Sequence, residues 1–255
     1  MLHTVLHGSA TEQPPLLIVH GLYGSARNWG VIAKRLSADR EVIAVDQRNH
    51  GESKWTATHS YAEMAADLAE VIAAHGGQAD VLGHSMGGKA AMVLALSQPA
   101  LVRRLVVADM APVSYGHGAA HGALQRAMAG LDLSGLTLRS QADQRLAEAI
   151  PDPSTRAFLL QSLDLKADPP RWKLNLEVLG AEMDAILDWP GTPGVFEGPA
   201  LFVHGALSNY VKPEHEPAIR AQFPRAEFAV IEGAGHWLHA ERPRDFEAVV
   251  ADFLT

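Results

Sequence analysis

A serine between two glycines is the most chemically suggestive feature of this 255-residue sequence. The pattern Gly83-x-Ser85-x-Gly87 follows an apolar run, residues 79–83, and leads into an alanine-rich stretch, residues 89–97. It predicts a strand that turns sharply into a helix, with glycine where the neighbouring backbone leaves no room for a side chain. The serine hydroxyl is then exposed at the carboxyl edge of a sheet, beside the backbone N–H groups that open the helix. We therefore expect Ser85 to be a nucleophile.

A serine nucleophile requires a general base and an acid that orients the base. His236 is the predicted base, because it lies in a glycine-containing loop, residues 232–239, after the last predicted strand, residues 227–231. Asp109 is the predicted acid, because it follows a buried strand in the way that Ser85 follows its own strand. A turn cap is the plainer role for Asp109, and three glutamates are rival candidates for the acid: Glu214, Glu216 and Glu232.

Donors for an oxyanion are expected from two backbone N–H groups. The stretch His20-Gly21-Leu22 lies between a short apolar run, residues 16–20, and a predicted helix, residues 26–36. On its own this stretch is a plain glycine turn, but a strand end beside the nucleophile is where a second oxyanion donor is needed. We therefore predict that the N–H groups of Met86 and Leu22 form the oxyanion hole.

Short apolar runs alternate with helical patterns along most of the chain, which is typical of a parallel sheet covered by helices on both faces. One helix, residues 61–75, begins with Ser60 and Glu63, whose spacing predicts a capping box. Asp46 and Arg48 lie in the loop after another strand, and we interpret them as loop-fixing hydrogen bonders. The carboxyl ends of parallel strands meet at one edge of the sheet, so the candidate residues are expected to meet there.

The pattern changes over residues 113–190, where helical segments broken by proline and glycine replace the apolar runs. An insertion of this kind at the functional edge of a sheet is typical of a lid. His117 and His121 could share a helical face, and we interpret them as solvated lid residues, because a metal site needs more ligands than this stretch supplies. The predicted lid helices cover residues 122–129, 140–149, 154–163 and 171–187.

Composition narrows the classes of partner. The formal net charge is −8 and there is no basic cluster, which argues against nucleic acid and anionic membranes as partners. The absence of cysteine excludes disulfides and thiolate metal sites. No apolar stretch is long enough for a membrane span, and the first residues lack the pattern of a signal peptide. We expect a soluble cytoplasmic protein that is a monomer by default, with a dimer as the alternative.

Five motifs together resemble the α/β-hydrolase fold superfamily over essentially the whole chain, at residues 20–25, 46–53, 83–88, 108–112 and 233–237. The order Ser85, Asp109, His236 along the chain is the order that this fold uses. Within the superfamily the sequence is similar to the group of YbfF-type esterases and ABHD11-like serine hydrolases. The Arg48-Asn49-His50-Gly51 form of the second motif makes that similarity more specific.

This resemblance implies a three-layer α/β fold with a mostly parallel sheet of about eight strands. Residues 1–112 and 191–255 are then the hydrolase core, and residues 113–190 are a helical lid inserted before the last two strands. The implied reaction is hydrolysis of small-molecule carboxylic esters or acyl thioesters with short-to-medium acyl chains, through an acyl-enzyme on Ser85. It implies no cofactor and no metal.

The sequence departs from the superfamily pattern at one position. In most relatives the acid lies in the loop after the strand that here ends at His204-Gly205, but this chain has Ser208 in that place. The acid is therefore expected one strand earlier, at Asp109, which is a known alternative location in this fold.

Other activities are compatible with the same residues. C–C bond hydrolases and cofactor-free haloperoxidases of this fold are alternatives within enzymes, and a small-molecule receptor on a hydrolase fold is an alternative of another class. A haloalkane dehalogenase is excluded, because it needs an aspartate where this chain has Ser85. Turnover of a 4-nitrophenyl ester separates a hydrolase from a receptor, which would show neither a burst nor a steady rate.

Overall fold

The computed structural model of the chain describes residues 1–116 and 118–255. The strands found in these residues are β1 (His3–His7), β2 (Leu16–Val19), β3 (Val42–Asp46), β4 (Ala79–His84), β5 (Val102–Ala108), β6 (Leu163–Asp164), β7 (Arg171–Trp172), β8 (Ala200–Gly205) and β9 (Ala226–Ile231). The α-helices are α1 (Gly30–Leu36), α2 (Tyr61–Ala74), α3 (Met86–Ser97), α4 (Gly118–Ala129), α5 (Arg139–Leu146), α6 (Pro153–Leu159), α7 (Leu176–Ala181), α8 (Met183–Leu187), α9 (Glu216–Gln222), α10 (Leu238–Glu241) and α11 (Pro243–Leu254).

One sheet carries the fold, with the strand order β1-β3-β2-β4-β5-β8-β9. Each neighbouring pair is parallel except β1 and β3, which pair antiparallel at the edge. The prediction of a mostly parallel α/β sheet is confirmed, with seven strands in the described part of the chain rather than about eight. Because the strands are parallel, the loops after β2, β4, β5, β8 and β9 all leave the same edge of the sheet.

Helices cover both faces of the sheet and form three layers. The strands β2, β3 and β4 are buried along their whole length, as expected for parallel strands with both faces covered. One apolar core lies between the sheet and α2 and α3, and it continues into the segment between β5 and β8. A second core lies on the opposite face, beneath α1 and α11.

Local predictions hold where a side chain bonds to nearby backbone. The hydroxyl of Ser60 accepts a hydrogen bond from the N–H of Glu63, and the Glu63 carboxylate accepts one from Ser60 N–H, so the capping box of α2 is confirmed. Asp46 accepts hydrogen bonds from the N–H groups of Ala26 (2.7 Å) and Glu52 (2.9 Å). Arg48 pairs with a carboxylate of α2. Asp46 and Arg48 therefore fix loops, as predicted.

The segment between β5 and β8 contains the helices α4 to α8 and a short antiparallel hairpin of β6 and β7. The predicted helix over residues 171–187 is wrong in its first part. Arg171–Trp172 pairs with Leu163–Asp164, and the remainder is divided between α7 and α8. Two-residue strands have too few side chains to show an alternating pattern, so their pairing is not visible in the sequence. Among the described residues no helix is long and apolar enough to cross a membrane.

Candidate active site

The turn at Ser85 has the geometry that the two glycines predict. Ser85 lies between β4 and α3 with φ 53° and ψ −122°, a conformation that side chains rarely adopt. A Cβ atom on Gly83 would lie 2.2 Å from the carbonyl oxygen of Gly87, and one on Gly87 would lie 2.4 Å from that of His20. The glycines are therefore required by close backbone contacts, and the turn holds the Ser85 side chain at the sheet edge.

Ser85, His236 and Asp109 are joined by two hydrogen bonds. The Ser85 Oγ lies 3.0 Å from His236 Nε2, and His236 Nδ1 lies 2.6 Å from Asp109 Oδ2. The Asp109 side chain is fully buried, whereas 19% of the His236 side chain is exposed. His236 follows β9 by a glycine loop, and Asp109 follows β5 directly. The structure thus brings together the three residues that sequence analysis proposed for nucleophile, base and acid.

The carboxylate of Asp109 is held by groups from the end of β8. Its Oδ2 accepts a hydrogen bond from the hydroxyl of Ser208 at 2.5 Å, and its Oδ1 accepts one from Gly205 N–H at 3.3 Å. Asp109 has φ 51°, so the chain turns sharply as it leaves β5. The rival glutamates lie elsewhere: Glu214 is near Lys212, Glu216 bonds to Arg220, and Glu232 is exposed on the surface.

The two expected oxyanion donors lie beside Ser85. A Cβ atom on Gly21 would lie 3.1 Å from the Cβ of Ser85, so the turn after β2 is in close contact with the serine. Leu22, Ser85 and Met86 line one small cavity. In the described part of the chain, neither Leu22 N–H nor Met86 N–H donates a hydrogen bond to another protein group. Both N–H groups are therefore available to donate a hydrogen bond to an oxyanion.

Comparison with known families agrees with this geometry. A family model described as "alpha/beta hydrolase fold" matches residues 14–243. The chain belongs to the α/β-hydrolase fold family.

This α/β-hydrolase is similar in sequence to two curated proteins and in structure to a solved esterase. The chain is 39% identical over 259 residues to "sn-1-specific diacylglycerol lipase ABHD11" of Mus musculus, and the alignment covers 99% of this chain and 84% of that protein. It is 38% identical over 230 residues to "Esterase YbfF" of Escherichia coli (strain K12), and this alignment covers 90% of this chain and 88% of that protein. A solved structure titled "Marine microorganism esterase" superimposes with a TM-score of 0.94 at 36% identity, over 99% of this chain and 98% of that one. The resemblance to the YbfF and ABHD11 group is confirmed.

Two residues that sequence reasoning missed hold the ring and backbone of His236. The ring of Tyr210 stacks on the His236 imidazole, with centroids 3.9 Å apart and planes 19° apart. On the other side, His84 Nε2–H donates a hydrogen bond to the carbonyl oxygen of His236 at 2.8 Å. His84 is visible in the sequence as the neighbour of Ser85, but nothing in the sequence pattern points to Tyr210. His236 is thus fixed through both its ring and its main chain.

A cleft opens above Ser85 and encloses about 540 Å³ of space, counted to its mouth. Its walls come from the core and from the segment between β5 and β8. Apolar and aromatic side chains predominate, among them Leu22, Tyr23, Trp29, Leu124, Phe158 and Trp237. Such a lining is suited to the hydrocarbon part of a substrate.

The prediction that His121 is a solvated residue is wrong, and His117 lies outside the described residues. His121 is half-buried, lines the cleft, and lies with its Nε2 3.0 Å from the hydroxyl of Tyr210. Its carbonyl oxygen accepts a hydrogen bond from Tyr23 Oη at 3.2 Å. The helical face that it occupies points to the site rather than to solvent. Over residues 1–116 and 118–255, no three histidine, cysteine or acidic side chains are grouped as a metal site needs.

Buried neutral groups surround the hydrogen-bonded residues. Burial, together with the neighbouring His236, lowers the pKa of His239 to about 3. Burial also lowers the pKa of His84 well below the usual value, with the rings of His239 and His236 as further causes. Burial raises the pKa of Tyr210 to about 12, so its phenol stays protonated at neutral pH. His239, His84 and Tyr210 are therefore uncharged neighbours of His236 at neutral pH.

Proposed function

We propose that this chain is a serine hydrolase that cleaves carboxylic esters through an acyl-enzyme on Ser85. The observation that carries the proposal is the continuous hydrogen-bonded line from Ser85 through His236 to Asp109. The esterase and lipase names of its relatives support the same class of reaction. Nucleophile, base and acid are those assigned from the sequence, and the mechanism needs no metal or cofactor.

In the first half-reaction, Ser85 Oγ forms a bond to the carbonyl carbon of the ester while His236 Nε2 takes the hydroxyl proton. The carbonyl oxygen becomes an oxyanion, which the N–H groups of Leu22 and Met86 stabilise. Asp109 holds the tautomer of His236 that has its proton on Nδ1 and stabilises the imidazolium. The C–O bond to the leaving alcohol then breaks, and His236 gives the proton to that alcohol.

In the second half-reaction, a water molecule takes the place of the alcohol. His236 removes a proton from the water as it attacks the acyl carbon, and the same two amides hold the second oxyanion. The bond between the acyl carbon and Ser85 breaks, and the proton returns from His236 to Oγ. The products are a carboxylic acid and the free enzyme.

The leaving group is an uncharged alcohol in this proposal, rather than coenzyme A. His236 must reach the leaving group, and a groove continues from the cleft past the neighbouring Trp237 and Phe158. The described residues that line this groove include the carboxylates of Asp152 and Glu241 and no lysine or arginine. A polyphosphate is repelled by such a lining, whereas an alcohol can contact its aromatic side chains.

The segment over residues 113–190 acts as the lid of the acyl site in this proposal. Leu124 of α4 and Phe158 of α6 line the cleft above Ser85. Where the segment returns to the sheet, the buried Lys89 of α3 donates hydrogen bonds to the carbonyl oxygens of Leu187 and Asp188, both at 2.7 Å. The lid is therefore tied to the helix that begins at the nucleophile, and its apolar side chains suit short-to-medium acyl chains.

The proposal is tested with a fluorophosphonate probe and a panel of substrates. We expect the probe to label the wild-type protein at Ser85 and to leave Ser85→Ala unlabelled, while Ser85→Ala keeps the wild-type circular dichroism spectrum. The panel pairs 4-nitrophenyl and glyceryl esters with coenzyme A thioesters of the same acyl chains. We expect kcat/KM to be higher for the uncharged esters, and hydrolysis to be lost in Ser85→Ala.

Variants that remove only charge check the assignment of the leaving group. Asp152→Asn and Glu241→Gln keep an acceptor for the N–H groups of Thr155 and Gly235, to which these carboxylates bond. The double variant should have a higher kcat/KM for coenzyme A thioesters, because the repulsion of their phosphates is removed, and an unchanged kcat/KM for glyceryl esters. The measurement is made at low salt, because salt screens the repulsion. Hydrolysis that survives in Ser85→Ala contradicts Ser85 as the nucleophile. Equal kcat/KM of the wild type for both leaving groups contradicts the assignment of an uncharged alcohol.

A further inference from the structure

The motif over residues 46–53 has no role in the mechanism above, although it contains the most specific sequence feature of the subgroup. We call residues 46–53 the signature loop and residues 20–26 the oxyanion turn, since the latter includes Leu22. The signature loop follows β3 and the oxyanion turn follows β2, and these two strands are paired in the sheet. The two loops therefore leave the sheet side by side, and contacts between them can set the geometry of the turn.

Hydrogen bonds from the signature loop hold both ends of the oxyanion turn. At its start, the side chain of Gln47 donates to the carbonyl oxygen of His20 at 2.6 Å, and Gln47 N–H donates to His20 Nε2 at 3.0 Å. At its end, Asp46 Oδ1 accepts from Ala26 N–H at 2.7 Å. The middle of the turn, where Leu22 lies, needs a separate support.

Two histidines fix the peptide groups on either side of Leu22. The group that contains Leu22 N–H also contains the carbonyl oxygen of Gly21, which accepts hydrogen bonds from His20 Nδ1–H at 2.8 Å and Gly24 N–H at 3.0 Å. The next peptide group contains Tyr23 N–H, which donates to His50 Nε2 at 3.2 Å. Since Tyr23 has φ 64°, in the left-handed region, its backbone needs such an external partner to keep this conformation.

The His50 ring can accept this hydrogen bond only when it is neutral, with its proton on Nδ1. Its Nδ1 lies 2.9 Å from the carbonyl oxygen of Arg48, which can only accept, so this bond selects the required tautomer. The ring is fully buried between the rings of His20 and His59. Burial, followed by the effect of these two neighbours, lowers the pKa of His50 well below its usual value, so the acceptor on Nε2 is present at neutral pH.

We propose that His50 is a positioning residue of the oxyanion hole: its Nε2 holds Tyr23 N–H, and through that peptide group it aims Leu22 N–H at the oxyanion formed on Ser85. This inference rests on the proposed function, because it assigns the signature loop to the chemistry of the same site. His50 touches neither the substrate nor the reacting atoms. Its effect is expected in the transition state, where the oxyanion exists, and not in the binding of the planar ester.

Substitutions at position 50 separate the acceptor from the rest of the ring. His50→Gln places an amide oxygen where Nε2 accepts the Tyr23 bond, so it is the conservative variant. His50→Leu fills a similar volume without an acceptor, and His50→Asn is polar but too short to reach Tyr23 N–H. Arg48→Gln is the matched control, because it weakens the same loop by breaking the ion pair with Asp67 and leaves the oxyanion turn untouched.

The measurements are kcat and KM for 4-nitrophenyl butyrate and the Ki of an alkyl trifluoromethyl ketone, which adds to Ser85 to give a tetrahedral oxyanion. Loss of a whole oxyanion donor costs about 10²–10³ in kcat, so a misdirected donor should cost about 10–100-fold. We expect this loss in His50→Leu and His50→Asn, an equal rise in Ki, and a KM within about twofold of wild type. His50→Gln and Arg48→Gln should keep kcat and Ki within about threefold.

The outcomes distinguish this inference from the proposed function. If His50→Leu or, should that variant not fold, His50→Asn keeps wild-type kcat and Ki, His50 does not position the oxyanion donor. If His50→Gln loses as much activity as His50→Leu, the ring acts through its shape and the inference is also wrong. A wild-type protein without Ser85-dependent turnover contradicts the proposed function itself, whereas Ser85-dependent turnover with no effect at position 50 contradicts this inference alone.

Discussion

Replacing Asp109 by asparagine removes the charge of this buried side chain and keeps its shape. Asp109 Oδ2 accepts hydrogen bonds from His236 and Ser208, and Oδ1 accepts one from Gly205 N–H. An asparagine has one acceptor oxygen and one NH₂ donor, so an NH₂ group must face one of these donors. When it faces His236, it favours the tautomer with the proton on Nε2, and that tautomer cannot take the proton of Ser85.

The size of the effect follows from the distance between the two groups. The Asp109 carboxylate lies 2.6 Å from His236 Nδ1, which places the centres of the two charges about 4 Å apart when the imidazolium forms. At an effective dielectric constant of about 20, their attraction is about 4 kcal/mol. Since each 1.36 kcal/mol is about tenfold in rate, we expect Asp109→Asn to lower kcat by about 10³-fold, within a range of about 10²–10⁴.

A second substitution tests whether the acid can be supplied from the other loop. The hydroxyl of Ser208 lies 2.5 Å from Asp109 Oδ2, so a carboxylate at position 208 begins close to His236. Ser208→Asp should restore at least about tenfold of the kcat lost in Asp109→Asn, whereas Ser208→Asn, of equal size and no charge, should restore nothing. In the wild-type background, Ser208→Asp should lower kcat, because two adjacent carboxylates raise the pKa of one of them.

The assay is kcat and KM for 4-nitrophenyl acetate in the single and double variants, with circular dichroism and thermal unfolding to confirm that each variant is folded. The KM of Asp109→Asn should stay close to that of the wild type, because the carboxylate does not contact the substrate. If Asp109→Asn keeps more than one-tenth of the wild-type kcat, then Asp109 is a turn cap rather than the acid.

Two other predictions concern pH and acyl-chain length. His239 has a pKa of about 3 in the folded protein and about 6.5 when unfolded, so between these values the unfolded state binds more protons and stability falls as pH falls. Lowering the pH from 6 to 5 should reduce the free energy of unfolding, measured with urea, and the reduction should be about 1 kcal/mol smaller in His239→Gln than in the wild type. Equal reductions in the two proteins would refute this. Leu124 lines the cleft, and Leu124→Ala should raise the ratio of kcat/KM for octanoyl esters to kcat/KM for acetyl esters at least about fourfold, which corresponds to one buried methylene. Leu131→Ala, which lies outside the cleft, should leave this ratio unchanged. An unchanged ratio in Leu124→Ala counts against a lid at residues 113–190.

The parts of the fold that the sequence predicts are those in which one local pattern has one physical cause. Apolar runs such as residues 16–20 and 101–108 are strands because both faces of a parallel sheet are covered. The glycines around Ser85 are predictable because contacts of 2.2–2.4 Å with backbone oxygens forbid any Cβ atom there. His236 is predictable because it follows the last strand at the edge where Ser85 lies. These features need no knowledge of how distant segments pack.

The parts that the sequence does not predict depend on contacts between distant segments. The ring of Tyr210 stacks on His236 although the two residues lie in different loops. His121 faces the cleft because α4 is held against Tyr23 and Tyr210, which a helical pattern alone cannot show. The hairpin of β6 and β7 is two residues deep and has no periodicity to read. In each case the partner, rather than the residue itself, decides the position.

Asp109 and Ser208 behave as one unit rather than as two independent choices. The N–H of Asp109 donates to the carbonyl oxygen of Val203 at 2.8 Å, so the pairing of β5 and β8 continues up to the residue that carries the carboxylate. The positive φ of Asp109 then turns the chain at the start of the loop after β5. An aspartate at position 208 would meet this carboxylate with a like charge, and an alanine would remove the hydroxyl that donates to Oδ2. Serine is small enough to fit and donates to the carboxylate oxygen, so in the proposed mechanism its hydroxyl supports an acid at Asp109, one strand earlier.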